Sequence, residues 1–145
     1  MYLLDTNIVS NALYRSETYP YLVHKIRTIK QSSIYVSMVT LQEMIDGRLQ
    51  ALAQRGNQKL PQIVQHYHYL EEVLKDLRRF QTLPYGEAEY REFEKIPGNI
   101  RCGIYDKRIA ATALARKLTL VTANMRHFQD IPNLILEDWT ARPLE

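Results

Sequence analysis

Four side chains in this sequence have the types and positions to do chemistry together: Asp5, Glu43, Asp106 and Asn124. Asp5 closes the apolar run "MYLLD". Glu43 lies a turn or two into the helical stretch that follows "SIYVS". Asp106 begins the helix after the "PGN" turn, and Asn124 follows "LTLVT". Three carboxylates held within a few ångströms of one another repel. They stay ionised together only beside a cation; otherwise at least one pKa rises. All the donors are hard oxygens, so the fitting ion is Mg²⁺ or Mn²⁺, not Zn²⁺. Such an ion keeps waters, one of which can become a nucleophile, and a phosphodiester is the natural electrophile. Each residue also has a local role open to it. Asp5 can cap the helix after it, and "TLQE" (40–43) matches a capping box. Asp106 suits a helix dipole, and Asn124 can hydrogen-bond within a loop.

For these residues to meet, the chain must bring its strand ends to one edge. The composition suits a globular fold: 145 residues, 46% apolar and 24% charged, expected to form one domain over 1–145. No apolar run is long enough for a membrane span, and no signal-peptide pattern opens the chain. A lone Cys102 offers neither an internal disulfide nor a Cys-rich metal site, and the expected compartment is the cytoplasm. The net charge of +3 leans only mildly towards polyanions. Strands are expected at "YLLD", "SIYVS" (33–37), "QTLPY", "LTLVT" (118–122) and "NLILED" (133–138). Helices are expected at "TNIVSNALY", "TYPYLVHKIRTIK", "MVTLQEMIDGRLQALAQ", from Pro61 to Phe80, at "GEAEYREFEKI" and at "YDKRIAATALARKL", with a break at "RGNQ" (55–58). In the long helix, Ile63, Tyr67, Leu70, Leu74 and Leu77 read as one buried stripe. The alternation implies an α/β domain with a mainly parallel sheet, whose ligands bind beyond the carboxyl ends of the strands.

With these pieces in place the chain resembles the PIN-domain family, specifically VapC-type toxins of bacterial toxin–antitoxin pairs. The matching segments are "LLDTNIVS", "SMVTLQEM" and "IYDKRIAATALARKLTLVTANMRHFQDIPNLILEDW". The resemblance implies a three-layer α/β/α sandwich around a five-stranded sheet. It also implies an endoribonuclease dependent on Mg²⁺ or Mn²⁺. By position, Asp5, Glu43 and Asp106 match the family's acidic metal-site residues. Asn124 stands at the fourth position, where many members have Asp. Thr6 and Asn7 follow the first acid as they usually do in the family, and Ser37 and Thr122 sit where it often has Ser or Thr. Either hydroxyl can orient a carboxylate or a water, or end its strand by local bonding. Asn124 adds an oxygen without charge, so one ion should bind firmly and a second weakly; one-metal and two-metal hydrolysis both stay open. Asp5 and Asp106 are the expected direct ligands, with Glu43 a third ligand or a base acting through a water. The resemblance further implies a homodimer and a cognate antitoxin, seated on the first helices and on the helical pair 41–55 and 60–80. An antitoxin helix in that groove could push an Arg into the acidic pocket.

Other residues carry weaker expectations. Arg101, Lys107, Arg108 and Arg126 lie near the acids in sequence and are candidates for RNA phosphates, or else a solvated face. Arg108 is also a candidate partner for an acid. His66 and His68 are two apart on a helix and cannot chelate one ion together. His24 and His127 are expected in surface or packing roles. Ten tyrosines are many for this length; Tyr67 and Tyr69 are expected to pack, and none is assigned to substrate. A rival from another class is a PIN-like module that binds RNA or protein with little catalysis. A different phosphotransfer fold is disfavoured, because neither a G-x-x-x-x-G-K-[ST] loop nor a D-x-D after strand one is present.

Overall fold

Alternation along the first strand sets the layering. In β1 (Tyr2–Leu4), Leu3 and Leu4 are both fully buried, yet they belong to different cores. Successive side chains of a strand point to opposite faces, so a strand with two buried faces must lie between two layers. The computed structural model describes residues 1–53 and 60–141. It places β1 at the centre of a five-stranded, all-parallel sheet of order β3-β2-β1-β4-β5. The other strands are β2 (Ile34–Ser37), β3 (Gln81–Leu83), β4 (Thr119–Val121) and β5 (Leu136–Glu137). The helices are α1 (Thr6–Tyr14), α2 (Pro20–Thr28), α3 (Met38–Ala53), α4 (Leu60–Leu77), α5 (Glu87–Lys95), α6 (Ile104–Arg116) and α7 (Met125–Phe128).

One core joins Leu3 and Leu120 to Val39 of α3, Ile109, Ala110 and Ala113 of α6, and Phe128 of α7. The other joins Leu4, Val36 and Val121 to Ile8 and Val9 of α1, Leu22 of α2, Val73 and Leu77 of α4, and Trp139. This is the expected three-layer α/β/α arrangement. On the first face, α5 is tied to α6 by Glu89, a carboxylate with 1% exposure that accepts from Arg116 at 2.8 Å and from the Gly86 N–H at 2.9 Å.

Three details differ from the sequence expectation. In α4 the buried positions are Val73 and Leu77, while Leu74 is 44% and Tyr67 61% exposed. Ile63 and Leu70 are half-buried and Leu77 is buried as expected, but Tyr67 and Leu74 face out, and Val73, not Leu74, joins the core. Tyr67 is therefore not a packing residue. The last strand is only two residues long, since Asn133 takes a left-handed backbone (φ 62°) and delays its start. The short helix α7 was not anticipated. The expected break at 55–58 lies outside the described residues.

Candidate active site

Parallel pairing puts every strand's carboxyl end on one edge, and the polar residues that follow β1, β2 and β4 collect there. The Asp5 N–H continues the ladder, bonding Val121 O at 2.9 Å, so the rigid central strand places this carboxylate. Asp5 is also the N-cap of α1, with Oδ1 accepting from the Thr6 N–H at 2.7 Å. Capping and a candidate site role are therefore compatible. Its other oxygen, Oδ2, accepts from Asn7 Nδ2 at 2.8 Å and from the Thr122 hydroxyl at 2.7 Å. Asn7 Oδ1 accepts from the Ala123 N–H at 3.1 Å, which ties the α1 start to the loop after β4.

Glu43 faces the same edge from α3, and its carboxylate accepts from the Thr6 hydroxyl. The capping-box alternative does not hold. The α3 start is capped instead by Ser37, whose hydroxyl accepts from the Thr40 N–H at 3.0 Å. Ser37 in turn bonds the Thr40 hydroxyl at 3.3 Å, and Thr6 reaches that hydroxyl at 3.4 Å. Ser37, Thr40, Thr6 and Glu43 therefore form one chain of contacts. Thr40, fully buried, was missed at the sequence level. Its one signal is the S-x-x-T spacing after a strand.

Asp106 stands in the first turn of α6 with Oδ2 2.9 Å from His127 Nδ1. His127 was expected on the surface or in packing; it is half-exposed but touches an acid of the site. Only α7, which brings it back towards α6, reveals the pair. Asn124 lies at the exposed rim. Its N–H bonds the Thr122 hydroxyl at 3.0 Å, and its side chain does not cap α7. Of the basic candidates, Arg101 and Arg126 line a polar cleft of about 410 Å³ together with His127 and Asp130. Lys107 and Arg108 are half-buried on α6, and among the described residues Arg108 has no carboxylate partner.

The electrostatics show that the acids sense one another. Asp5 is 3% exposed, and its pKa is raised from 3.8 to about 6. Burial is the main cause. The bonds from Thr122 and Thr6 oppose it, and the negative charges of Asp106 and Glu43 add to it. Among the described residues, no three His, Cys, Asp or Glu side chains stand in ligating geometry. The donor set nevertheless fits a hard divalent cation: three carboxylates, one of them resisting ionisation through burial first and the charges of the other two second.

The sign of the Asp5 shift fixes a pH prediction. The folded chain holds this proton more tightly than the unfolded chain does. Its contribution is therefore neutral below about pH 4 and becomes a full cost above about pH 6, worth about 3 kcal/mol. Without divalent ions, urea unfolding should show stability falling across that window. The fall should be smaller in Asp5→Asn; equal slopes would contradict the assignment.

Comparison with known proteins follows the same lines. The family model described as PIN domain matches residues 2–134. "Ribonuclease VapC2" of Rickettsia felis is 32% identical, over 96% of this chain and 98% of its own. The "tRNA(fMet)-specific endonuclease VapC" of Salmonella typhimurium is 29% identical, over 95% and 97%. Among solved structures, DNA-bound VapBC from Salmonella typhimurium superposes with a TM-score of 0.66 at 26% identity, covering 95% of this chain and 97% of that one. FitAB bound to the IR36 DNA fragment gives 0.74 at 23% identity, covering 100% and 99%, a likeness of fold.

Proposed function

The chain belongs to the PIN-domain family, and from that premise we propose that it is a VapC-type toxin: one nuclease domain over 1–145 that hydrolyses RNA phosphodiester bonds with Mg²⁺ or Mn²⁺ and is held inactive by a cognate antitoxin. The observation that carries the reading is Asp5, a buried carboxylate at the end of the central strand whose ionisation is opposed by Asp106 and Glu43. A fold keeps such an arrangement at the cost of stability, and a cation at that point offsets the cost. The names of the relatives support the nuclease reading, since two full-length relatives are called ribonuclease or endonuclease.

In this reading Asp5, Asp106 and Glu43 hold the ion. Each of Glu43 and Asp106 has a second carboxylate oxygen for an ion beside the one held by Thr6 or His127. A bound Mg²⁺ or Mn²⁺ supplies Lewis-acid chemistry, offsetting phosphodiester charge and making water a better nucleophile. The protein's own part is positioning. Thr122 and Asn7 fix the Asp5 rotamer. Thr6 and the Ser37–Thr40 pair steer Glu43, which either ligates or takes a proton from the attacking water. Asn124 adds a neutral oxygen at the rim. Arg101, Lys107, Arg108 and Arg126 attract the RNA backbone, so binding weakens as salt rises. An antitoxin and a second copy of the chain find apolar surface at Tyr14 of α1, Leu49 of α3 and Val64, Tyr67 and Leu74 of α4, all exposed. No helix among the described residues is long and apolar enough to cross a membrane; we place the protein in the cytoplasm.

The test is incubation with a structured RNA, with Mn²⁺ and with EDTA. Cleavage with Mn²⁺ that EDTA stops supports the reading; retention of RNA without cleavage supports the binding-module rival. Glu43→Gln should lower the cleavage rate by about 10–100-fold, as expected for a lost ligand or proton acceptor. A wild-type rate in that variant would remove Glu43 from the site.

A further inference from the structure

Two other clefts on this molecule are lined by apolar or mixed side chains, but the one between α3, α5 and α6 has a feature that calls for a ligand. It is a cleft of about 380 Å³ whose floor carries Tyr85 and Val39. The Tyr85 hydroxyl is buried and makes no hydrogen bond among the described residues. Buried polar atoms without partners are rare, and each calls for a reason. The wall is aromatic: Tyr90 and Phe93 of α5 lie 6.3 Å apart with rings 26° from parallel. Gln42 and Arg108 complete the rim. Tyr90 is 52% exposed, so its ring meets solvent at the mouth.

Position relates this cleft to the acids. Tyr85 follows β3 by two residues and Met38, which also lines it, follows β2 directly. Both sit on the carboxyl edge that carries Asp5. The β3 end is two strand spacings from β1, about 10 Å. Gln42 and Glu43 lie on one turn of α3, and Arg108 and Asp106 on the first turns of α6, each pair on different faces of its helix, so the cleft opens beside the acids and not into them. A strand of RNA that crosses the acids and follows the carboxyl edge towards β3 would reach this opening.

We propose that this cleft is a nucleobase subsite, taking one unpaired RNA base next to the bond that is cut. The base stacks on the Tyr90 and Phe93 wall, the Tyr85 side chain shifts so that its now buried hydroxyl meets the base's polar edge beside the Gln42 amide, and Arg108 meets its phosphate. Every base has a face to stack, while a phenol and an amide sort bases by their edges, so the subsite confers preference as well as affinity. The proposal rests on the ribonuclease reading of the acidic centre.

The test uses binding in EDTA, where cleavage plays no part. Fluorescein-labelled eight-nucleotide homopolymers of A, C and U are compared with a tetrahydrofuran-spacer oligomer that has the same phosphates and no bases. Wild-type protein should bind at least one homopolymer about 5- to 100-fold more tightly than the spacer oligomer, the range for one stacked base. Tyr90→Ala should lose most of that ratio. Tyr85→Phe should change the order among the homopolymers and leave spacer binding alone. Its melting temperature should be unchanged or higher, since the hydroxyl has no internal partner. The subsite is overturned if the spacer binds as well as the homopolymers, or if both variants keep wild-type ratios. It is also overturned if Tyr85→Phe melts several degrees lower, because the hydroxyl then serves the fold. Base preference in a protein that never cuts RNA with Mn²⁺ would keep the subsite and remove the nuclease. Cutting without base preference would do the reverse.

Discussion

Asp5→Asn should reduce metal-dependent RNA cleavage by at least about 10²–10³-fold while leaving the chain folded. The substitution keeps shape and one acceptor oxygen but removes the charge that a divalent ion needs. It also places an amide group where Oδ2 now accepts from both Asn7 and Thr122, so the local network must rearrange. Two effects on stability then oppose each other. Loss of the hydrogen bonds costs about 1–3 kcal/mol. Relief of a buried charge whose pKa is raised to about 6 returns about 3 kcal/mol at neutral pH. The variant should therefore melt close to the wild type at pH 7.5, and its lost activity cannot be put down to unfolding. Rates from a labelled RNA, beside a thermal melt, check both halves. Near-wild-type cleavage in a folded Asp5→Asn protein would refute the role of Asp5.

Asp106→Asn should cost a similar factor in rate, for a partly different reason. Asp106 is 20% exposed in its side chain, against 3% for the whole of Asp5, so solvent and an ion reach it more readily. It sits in the first turn of α6, where a negative charge also suits the helix dipole. That local contribution is worth only about 0.3–1 kcal/mol. A fold effect that small cannot produce a rate loss of two orders or more. The expected result is a folded protein with an unchanged circular dichroism spectrum, cleavage lowered about 10²–10³-fold, and weakened Mn²⁺ affinity in calorimetry. Unchanged Mn²⁺ affinity would mean that Asp106 is a helix-start residue and no ligand.

How much of this was legible beforehand varies by residue, for physical reasons. Asp5, Ser37 and Thr122 follow short β-branched or apolar runs, and in a parallel sheet such positions share an edge whatever the loops do. Glu43 was a site candidate with a capping role also open to it, because "TLQE" fits the pattern; the helix starts at Met38, as expected, and Ser37 caps it, so the capping role falls away. On α4 the stripe held at Ile63, Leu70 and Leu77 but failed at Leu74, since Val73 and Leu74 are both apolar and only the packing against the sheet decides between them. His127 and the Tyr85 cleft were illegible because each depends on segments far apart in the chain. His127 meets Asp106 across 21 residues, and Tyr85 shares its cleft with α3, α5 and α6.

The most direct measurement of the central claim is the chemistry of the RNA ends. Water delivered to phosphorus at the Asp5–Glu43–Asp106 centre breaks one P–O bond and leaves a linear phosphate on one product and a hydroxyl on the other. A side-chain acid and base acting without an ion would instead use the neighbouring 2′-hydroxyl and leave a 2′,3′-cyclic phosphate. Mass spectrometry of the products at increasing Mn²⁺ in a chelated buffer distinguishes the two. Linear phosphate ends whose yield rises with Mn²⁺ and vanishes with EDTA are the expected result. Cyclic phosphate ends, or cleavage indifferent to Mn²⁺, would contradict the account.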